Sequence, residues 1–253
     1  MPSVPTLETW LTCATPKPNA ALRLFAFPYA GAGTVVFRGW DSALPAQVEM
    51  NVVRLPGRET RLRETPFSTM PPLISALADA LIPALDKPFA LYGHSMGGLV
   101  AFELTRELRR RGERMPLQLL ISARRAPQLA DPDTPLHPLS DAAFVKEMQR
   151  RYDSIPAAIL NSPELLELFV PVLKADFAVI ETYSYQAAPP LDVPIAVFGG
   201  THDHVLRAGD LEGWAEQTSG AFALQKFVGG HFFIQSQQAA FLSAVNRIIA
   251  RHL

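Results

Sequence analysis

"ALYGHSMGGLVAFEL", residues 90–104, decides the fold. The apolar run "FALY" (89–92) stops at Gly93, Ser95 follows two residues later, and Gly97 and Gly98 precede a helical pattern that runs to Gly112. A strand that turns directly into a helix holds the turn residue in a sparsely populated backbone conformation. Side chains two positions to either side of it would collide, which accounts for Gly93 and Gly97. The tight bend lifts the Ser95 oxygen above the end of the strand, where the positive end of the following helix faces any negative charge that develops. An ordinary glycine-rich turn needs neither the strand before it nor the helix after it. Ser95 is therefore the candidate nucleophile.

Outward from this point, short apolar runs alternate with longer helical patterns, the signature of a parallel sheet with helices on its faces. The runs 22–28, 49–55, 89–93, 117–122, 194–200 and 223–230 read as strands, and segments 70–84, 97–112, 206–218 and 236–252 as helices. Leu73, Ala76, Leu77, Ala80 and Leu81 repeat at three- and four-residue spacing and predict one buried stripe on the first of these helices. The pattern predicts a single α/β domain over residues 1–253, with a mostly parallel central sheet flanked by helices. One region breaks the alternation. Between Arg124 and Pro190 no strand is legible, and proline-rich stretches bracket two helical patterns, "DAAFVKEMQRRY" (141–152) and "SPELLELFVPVLKADFAVIETYSY" (162–185). Ser162 reads as the N-cap of the second, with Pro163 at its first helical position. "FVPVLKADFAVI" (169–180) is more apolar than a solvent-facing decoration needs, so residues from about 127 to 188 are expected to form a helical lid.

A serine hydroxyl needs a base, and the base needs an orienting carboxylate. On a strand–turn–helix serine the partners follow in the chain order serine, acid, histidine. Of six histidines, His231 stands immediately after the last strand in "FVGGHFF" (227–233), where a loop can lower it toward Ser95. His94 lies inside the bend and points the wrong way, His137 falls in the proline-rich insertion, and His252 in the terminal helix. Asp203, in "VFGGTHDHV" (197–205), follows the preceding strand and is the candidate acid, with Asp210 as the fallback. Asp192 precedes its strand, at the opposite edge. Asp203 and His231 both fall beyond the carboxyl ends of strands, where sites form in such sheets. A metal reading of "HDH" (202–204) lacks further ligands and leaves Ser95 unexplained. No metal and no cofactor is expected. An oxyanion needs two backbone N–H donors. Met96 offers one; small residues in "FAFPYAGAGT" (25–34) let the backbone approach closely, and Ala30 is the candidate for the second.

The 253 residues suffice for one sizeable core. A net charge of −1 speaks against a nucleic-acid surface or a polyanionic substrate. The single cysteine, Cys13, excludes an intrachain disulfide and a cysteine metal site, and suits a reducing cytoplasm. No basic-then-apolar leader opens the sequence, and no run reaches the roughly 18 apolar residues of a membrane span. A cytoplasmic protein that does not engage a membrane is expected.

Several blocks together resemble one family, the type II thioesterases that accompany polyketide and nonribosomal peptide synthetases. "FPYAGAGTVVFRGW" (27–40) is similar to that family's phenylalanine–proline–aromatic signature, with a tryptophan a few residues on. "LPGRETR" (55–61) is a characteristic block and more specific than the serine motif. "YGHSMGGLVAFEL", "GGTHDHV" and "FVGGHFF" follow in the expected order, so the likeness spans residues 24–235. It implies an α/β-hydrolase fold, puts Ser95, Asp203 and His231 on the family's triad, and puts Ala30 and Met96 on its oxyanion donors. It also implies that a monomer removes acyl groups from the phosphopantetheine arm of carrier proteins. Tyr29 is a candidate substrate contact, and so is Phe177, on the apolar face of the lid expected to shape the acyl pocket. Ala32 departs from the pattern, where a second glycine is usual, and so does His204. A medium-chain fatty-acyl thioesterase or a carboxylesterase would use the same triad, and a catalytically inactive synthase-binding protein is the reading from another class.

Arg106, Arg109, Arg110, Arg111 and Arg114 form the densest basic cluster. At 1.5 Å per residue they lie about 20 Å from Ser95, at the far end of its helix, where they complement the helix dipole. Arg54, Arg58, Arg61, Arg124 and Arg125 follow strand carboxyl ends instead. Arg58, Arg124 and Arg125 are the candidate contacts for a carrier protein or its phosphate; ion pairing with Glu59 inside "GRETR" is the competing reading.

Overall fold

The computed structural model describes residues 7–152 and 155–253; residues 1–6, read above as carrying no leader, lie outside the described residues. Strands β1 (Leu11–Thr12), β2 (Leu22–Phe27), β3 (Val48–Val53), β4 (Phe89–His94), β5 (Gln118–Ser122), β6 (Ile195–Gly200) and β7 (Phe222–Phe227) form one sheet in the order β1-β3-β2-β4-β5-β6-β7. All neighbours are parallel except β1, which pairs antiparallel with β3 through Leu11–Val53 and Thr12–Val52. The sequence does not predict β1: two residues carry no period, and its place is set by contacts such as the Arg54 N–H donating to the Trp10 carbonyl at 2.7 Å.

The longer helices are α1 (Met70–Leu81), α2 (Met96–Arg111), α3 (Asp141–Tyr152), α4 (Pro163–Glu181) and α5 (Gln238–Ile249). Helices cover both sheet faces, so the central strands are buried on both sides and read as unbroken apolar runs. Period two still sorts their side chains. Phe25, Phe27, Leu91, Leu119 and Ile121 pack with α1 and α2, whereas Leu24, Ala26, Tyr92, Leu120 and Phe198 pack with Trp40 and with Phe241 of α5. The α1 stripe is rotated slightly from its prediction. Ile74 and Ala78 join Leu73, Leu77 and Leu81 in the interior, leaving Ala76 and Ala80 at the rim.

The expected helix over 206–218 is a correction. Only a short 3₁₀ segment, Glu212–Gln217, forms there. Gly209 adopts φ +87°, and the Asp210 carboxylate accepts from the Arg207 N–H and pairs with Arg125, fixing a turn where a helix would have to begin. Between β5 and β6 the chain makes α3, the turn Ala157–Leu160 and α4. These close around a small core of their own that includes Leu136, Phe144, Met148, Val170, Leu173 and Phe177. Ser162 caps α4, its hydroxyl accepting from the Leu165 N–H at 3.3 Å, with Pro163 first in the helix. Among the described residues no helix is long and apolar enough to cross a membrane.

Candidate active site

The bend between β4 and α2 is as tight as the spacing of its glycines demands. Ser95 adopts φ 52°, ψ −115°, a conformation that costs about 1–3 kcal/mol for a residue with a side chain. A Cβ on Gly93 would lie 2.0 Å from the Gly97 carbonyl oxygen, and one on Gly97 would lie 2.1 Å from that of Phe27. The Ser95 N–H donates to the Ser122 carbonyl at 2.8 Å, anchoring the bend on β5.

The loops after β6 and β7 bring their two side chains to this serine. His231 Nε2 lies 3.1 Å from Ser95 Oγ, and His231 Nδ1 lies 2.9 Å from Asp203 Oδ2. The Asp203 side chain is 1% exposed and its Oδ1 accepts from the Val205 N–H at 3.0 Å, so the carboxylate is held on both oxygens. Asp210, the fallback acid, is committed to Arg125 at 2.9 Å and plays no part in this chain of contacts. His202 and His204 are exposed.

His94, set aside as a base, is fully buried beneath this group. Its Nδ1 meets Ser122 Oγ at 2.8 Å, which in turn meets the Tyr92 hydroxyl at 2.8 Å. Desolvation, reinforced by nearby His231, drives its pKa far below the usual imidazole range, so it stays neutral and packs edge-on to His231 with ring centroids 5.4 Å apart.

The turn after β2 sorts its amide groups. The Ala32 N–H donates to the Tyr29 carbonyl at 3.0 Å and the Gly31 N–H to Asp176 Oδ2 at 2.7 Å. The departure at Ala32 therefore falls on an amide already used in the turn. The Ala30 and Met96 N–H groups find no acceptor among the described residues. A cavity of about 220 Å³ adjoins Ser95 and His231, lined also by Tyr29, Ala30, Arg124, Met148, Tyr152, Phe177 and Phe232. Tyr29 and Phe177 both reach this cavity. Tyr29 is seated by Phe232, 5.0 Å away, and by a hydrogen bond that Gln235 donates to its hydroxyl.

The arginines need correction. Arg58 is buried, does not line the cavity, and pairs bidentately with Asp176. Arg125 is buried between Asp210 and Asp131. Arg58 is consumed internally, whereas Arg125 lines the cavity with its guanidinium committed to those two carboxylates. The competing reading holds in kind but not in partner, since Glu59 meets Arg54 at 3.6 Å and Arg61 meets Glu64. Arg124 faces the cavity, its Nε shielded from solvent and without a hydrogen-bond partner among the described residues. In the distal cluster, Arg106, Arg109, Arg110 and Arg111 are spent on Glu103, Glu107, Asp79 and the carbonyls of Pro189 and Pro190.

Sequence reading missed Asp176, Tyr152 and Phe232. Asp176 left one signal, a lone acid inside the apolar run "FVPVLKADFAVI". Tyr152 packs 5.6 Å from the His231 ring and 5.5 Å from Phe177, and burial pushes its hydroxyl up to about 12.

Comparison with known proteins gives the same picture. The family described as "Thioesterase domain" matches residues 22–249. The protein named Linear gramicidin dehydrogenase LgrE, from Brevibacillus parabrevis, is 36% identical over 247 residues, covering 96% of this chain and 94% of its own length. The dehydrogenase in that name has no counterpart in the turn after β2, where "GAGTVV" (31–36) lacks the third glycine of a dinucleotide fingerprint. RedJ, the thioesterase of the prodiginine pathway in Streptomyces coelicolor, superposes with a TM-score of 0.84 at 37% identity, over 93% of this chain and 90% of that one. BorB, the type II thioesterase of the borrelidin biosynthetic cluster, superposes with a TM-score of 0.84 at 31% identity over 100% of this chain and 97% of its own. On sequence, fold and extent of match, this chain belongs to the thioesterase family, as a hydrolytic enzyme of the type II group.

Proposed function

We propose that this thioesterase releases acyl groups from the phosphopantetheine arm of carrier proteins in a nonribosomal peptide or polyketide synthetase, clearing stalled or mis-primed units as a monomer. The observation that carries this reading is the chain of contacts from Asp203 through His231 to Ser95 beside a small cavity roofed by α3 and α4. In the mechanism, His231 Nε2 takes the Ser95 proton as Oγ attacks the thioester carbonyl carbon. The carbonyl oxygen becomes an oxyanion, met by the Ala30 and Met96 N–H groups, while Asp203 holds the imidazolium from Nδ1. Collapse expels the pantetheine sulfur, which leaves with the proton from His231. A water then enters, gives a proton to Nε2 and attacks the acyl carbon; the proton returns to Ser95 Oγ as the acid departs. A thiol leaves readily, so this chemistry asks less of acid catalysis than amide cleavage does. The insertion of α3 and α4 acts as a lid, with Phe177, Met148 and Tyr152 forming the acyl wall.

The test is kcat/KM for one acyl group presented on a carrier protein, on coenzyme A and as a p-nitrophenyl ester. The expected order is carrier, then coenzyme A, then ester, with the carrier favoured about tenfold or more over coenzyme A because binding energy from the carrier surface is available to the transition state. A preference for the oxygen ester contradicts the proposal.

A further inference from the structure

We propose that the buried pair Asp176–Arg58 is a positioning device through which the lid sets the oxyanion hole. The inference rests on the functional reading above, in which the Ala30 N–H meets the developing charge. In the Tyr29–Ala32 turn three neighbouring amide N–H groups belong to Ala30, Gly31 and Ala32, residues too small to lock the turn by packing. Asp176, on lid helix α4, claims the Gly31 N–H at 2.7 Å, and the Tyr29 carbonyl claims that of Ala32. Of the Ala30, Gly31 and Ala32 N–H groups, that of Ala30 is the one without an acceptor among the described residues. Helix α4 also rests directly on this turn. A Cβ on Gly31 would sit 2.7 Å from Leu173 Cδ1 and 3.1 Å from the Phe169 ring.

A bare carboxylate one amide away from an oxyanion would oppose it, and Arg58 removes that opposition. Its Nη1 and Nη2 meet Asp176 Oδ2 and Oδ1 at 2.8 and 2.7 Å, and Nη1 also donates to the Ala32 carbonyl at 3.0 Å. The guanidinium therefore grips the lid acid and the far end of the turn at once. It is held in turn by the Pro56 carbonyl at 3.3 Å. Both side chains are under one-tenth exposed, so the pair forgoes hydration that apolar neighbours would not need. What the pair supplies, and an apolar contact could not, is an acceptor for the Gly31 N–H with its charge already cancelled. If α4 lifts, Gly31 loses its acceptor and the hole loses its shape. Lid seating and transition-state stabilisation are then a single event.

Two variants test this, Asp176→Asn and the double variant Arg58→Met/Asp176→Leu. The double variant replaces the ion pair by apolar side chains, an exchange that buried pairs often tolerate, and it keeps the test open if the single variant folds poorly. For each, kcat on an acyl pantetheine thioester is measured together with the affinity for an alkyl boronic acid, which forms a tetrahedral anion on the serine, and for a non-hydrolysable thioether analogue. The expected result is a fall in kcat of about 10- to 100-fold, short of the loss on deleting an oxyanion donor outright. Boronic-acid affinity falls in parallel, while thioether affinity and KM change by less than about threefold, because ground-state contacts do not use the hole. Equal losses for boronic acid and thioether, or full kcat in the folded double variant, overturn the inference. Neither result touches the thioesterase reading, which stands or falls on the wild-type enzyme's own substrate preference.

Discussion

Ser95→Ala is expected to lower kcat for thioester hydrolysis by about 10⁴- to 10⁶-fold while moving the thermal midpoint by no more than about 2 °C. The magnitude follows from what the side chain does: Ser95 Oγ adjoins the cavity and meets His231 Nε2, the base that takes its proton as it attacks the carbonyl. The small stability change follows from what it does not do. Alanine bears the same backbone strain at φ 52°, and the Ser95 N–H keeps its bond to Ser122. His231→Ala is expected to cost nearly as much, and the double variant no more than the worse single one, since residues acting as a unit are not additive. Single-turnover hydrolysis with matched thermal melts checks all three variants. Additive losses would mean that the serine and the histidine act in separate steps.

Gly97→Ala is expected to cost far more stability than Gly98→Ala. The added methyl would lie 2.1 Å from the Phe27 oxygen and 2.8 Å from that of Pro28. Both are backbone atoms at the end of β2, so relief requires shifting the strand that delivers the Tyr29–Ala32 turn. A loss of about 4 kcal/mol or more is expected, the exceptional range for one substitution, along with loss of activity in whatever still folds. Gly98→Ala is the comparison. Its methyl meets mainly Ile121 Cγ2 at 2.9 Å, a side-chain atom that can move, with the Gly93 oxygen at 3.2 Å. About 1–2 kcal/mol is expected there. Denaturant midpoints for the two variants decide the matter, and similar small losses would show that the bend is looser than its geometry implies.

The parts of the molecule legible in its sequence are those whose cause is local. Five strands, β2 to β6, announce themselves as apolar runs because both faces of the sheet are covered there, whereas β7 at the edge is largely exposed. The elbow is legible because strand, glycine spacing and helix fall within a few residues. Asp203 and His231 are legible because glycines at the end of β6 and just after β7 mark where each strand must stop and turn. The clamp is different. Arg58 and Asp176 are 118 residues apart, and a motif that offers Glu59 next door gives no hint that the arginine reaches past it to the lid. Glu59 instead accepts from the Thr34 N–H at 2.7 Å, tying its own loop to the turn after β2. The region 206–218 misleads for a related reason. Its helical spacing is real, but Arg125, a strand away, captures Asp210 and closes a turn that propensity alone would not form. Tyr152 ends α3 and meets His231 only because the insertion folds back over the sheet edge.

The most direct measurement is intact-protein mass spectrometry of the enzyme quenched in acid within one turnover after mixing with an acyl-carrier protein. The proposal predicts a mass increase equal to the acyl group alone, mapped to the peptide that holds Ser95, and absent from Ser95→Ala. Rapid release of free acid with no such adduct, or an adduct on any other side chain, contradicts it.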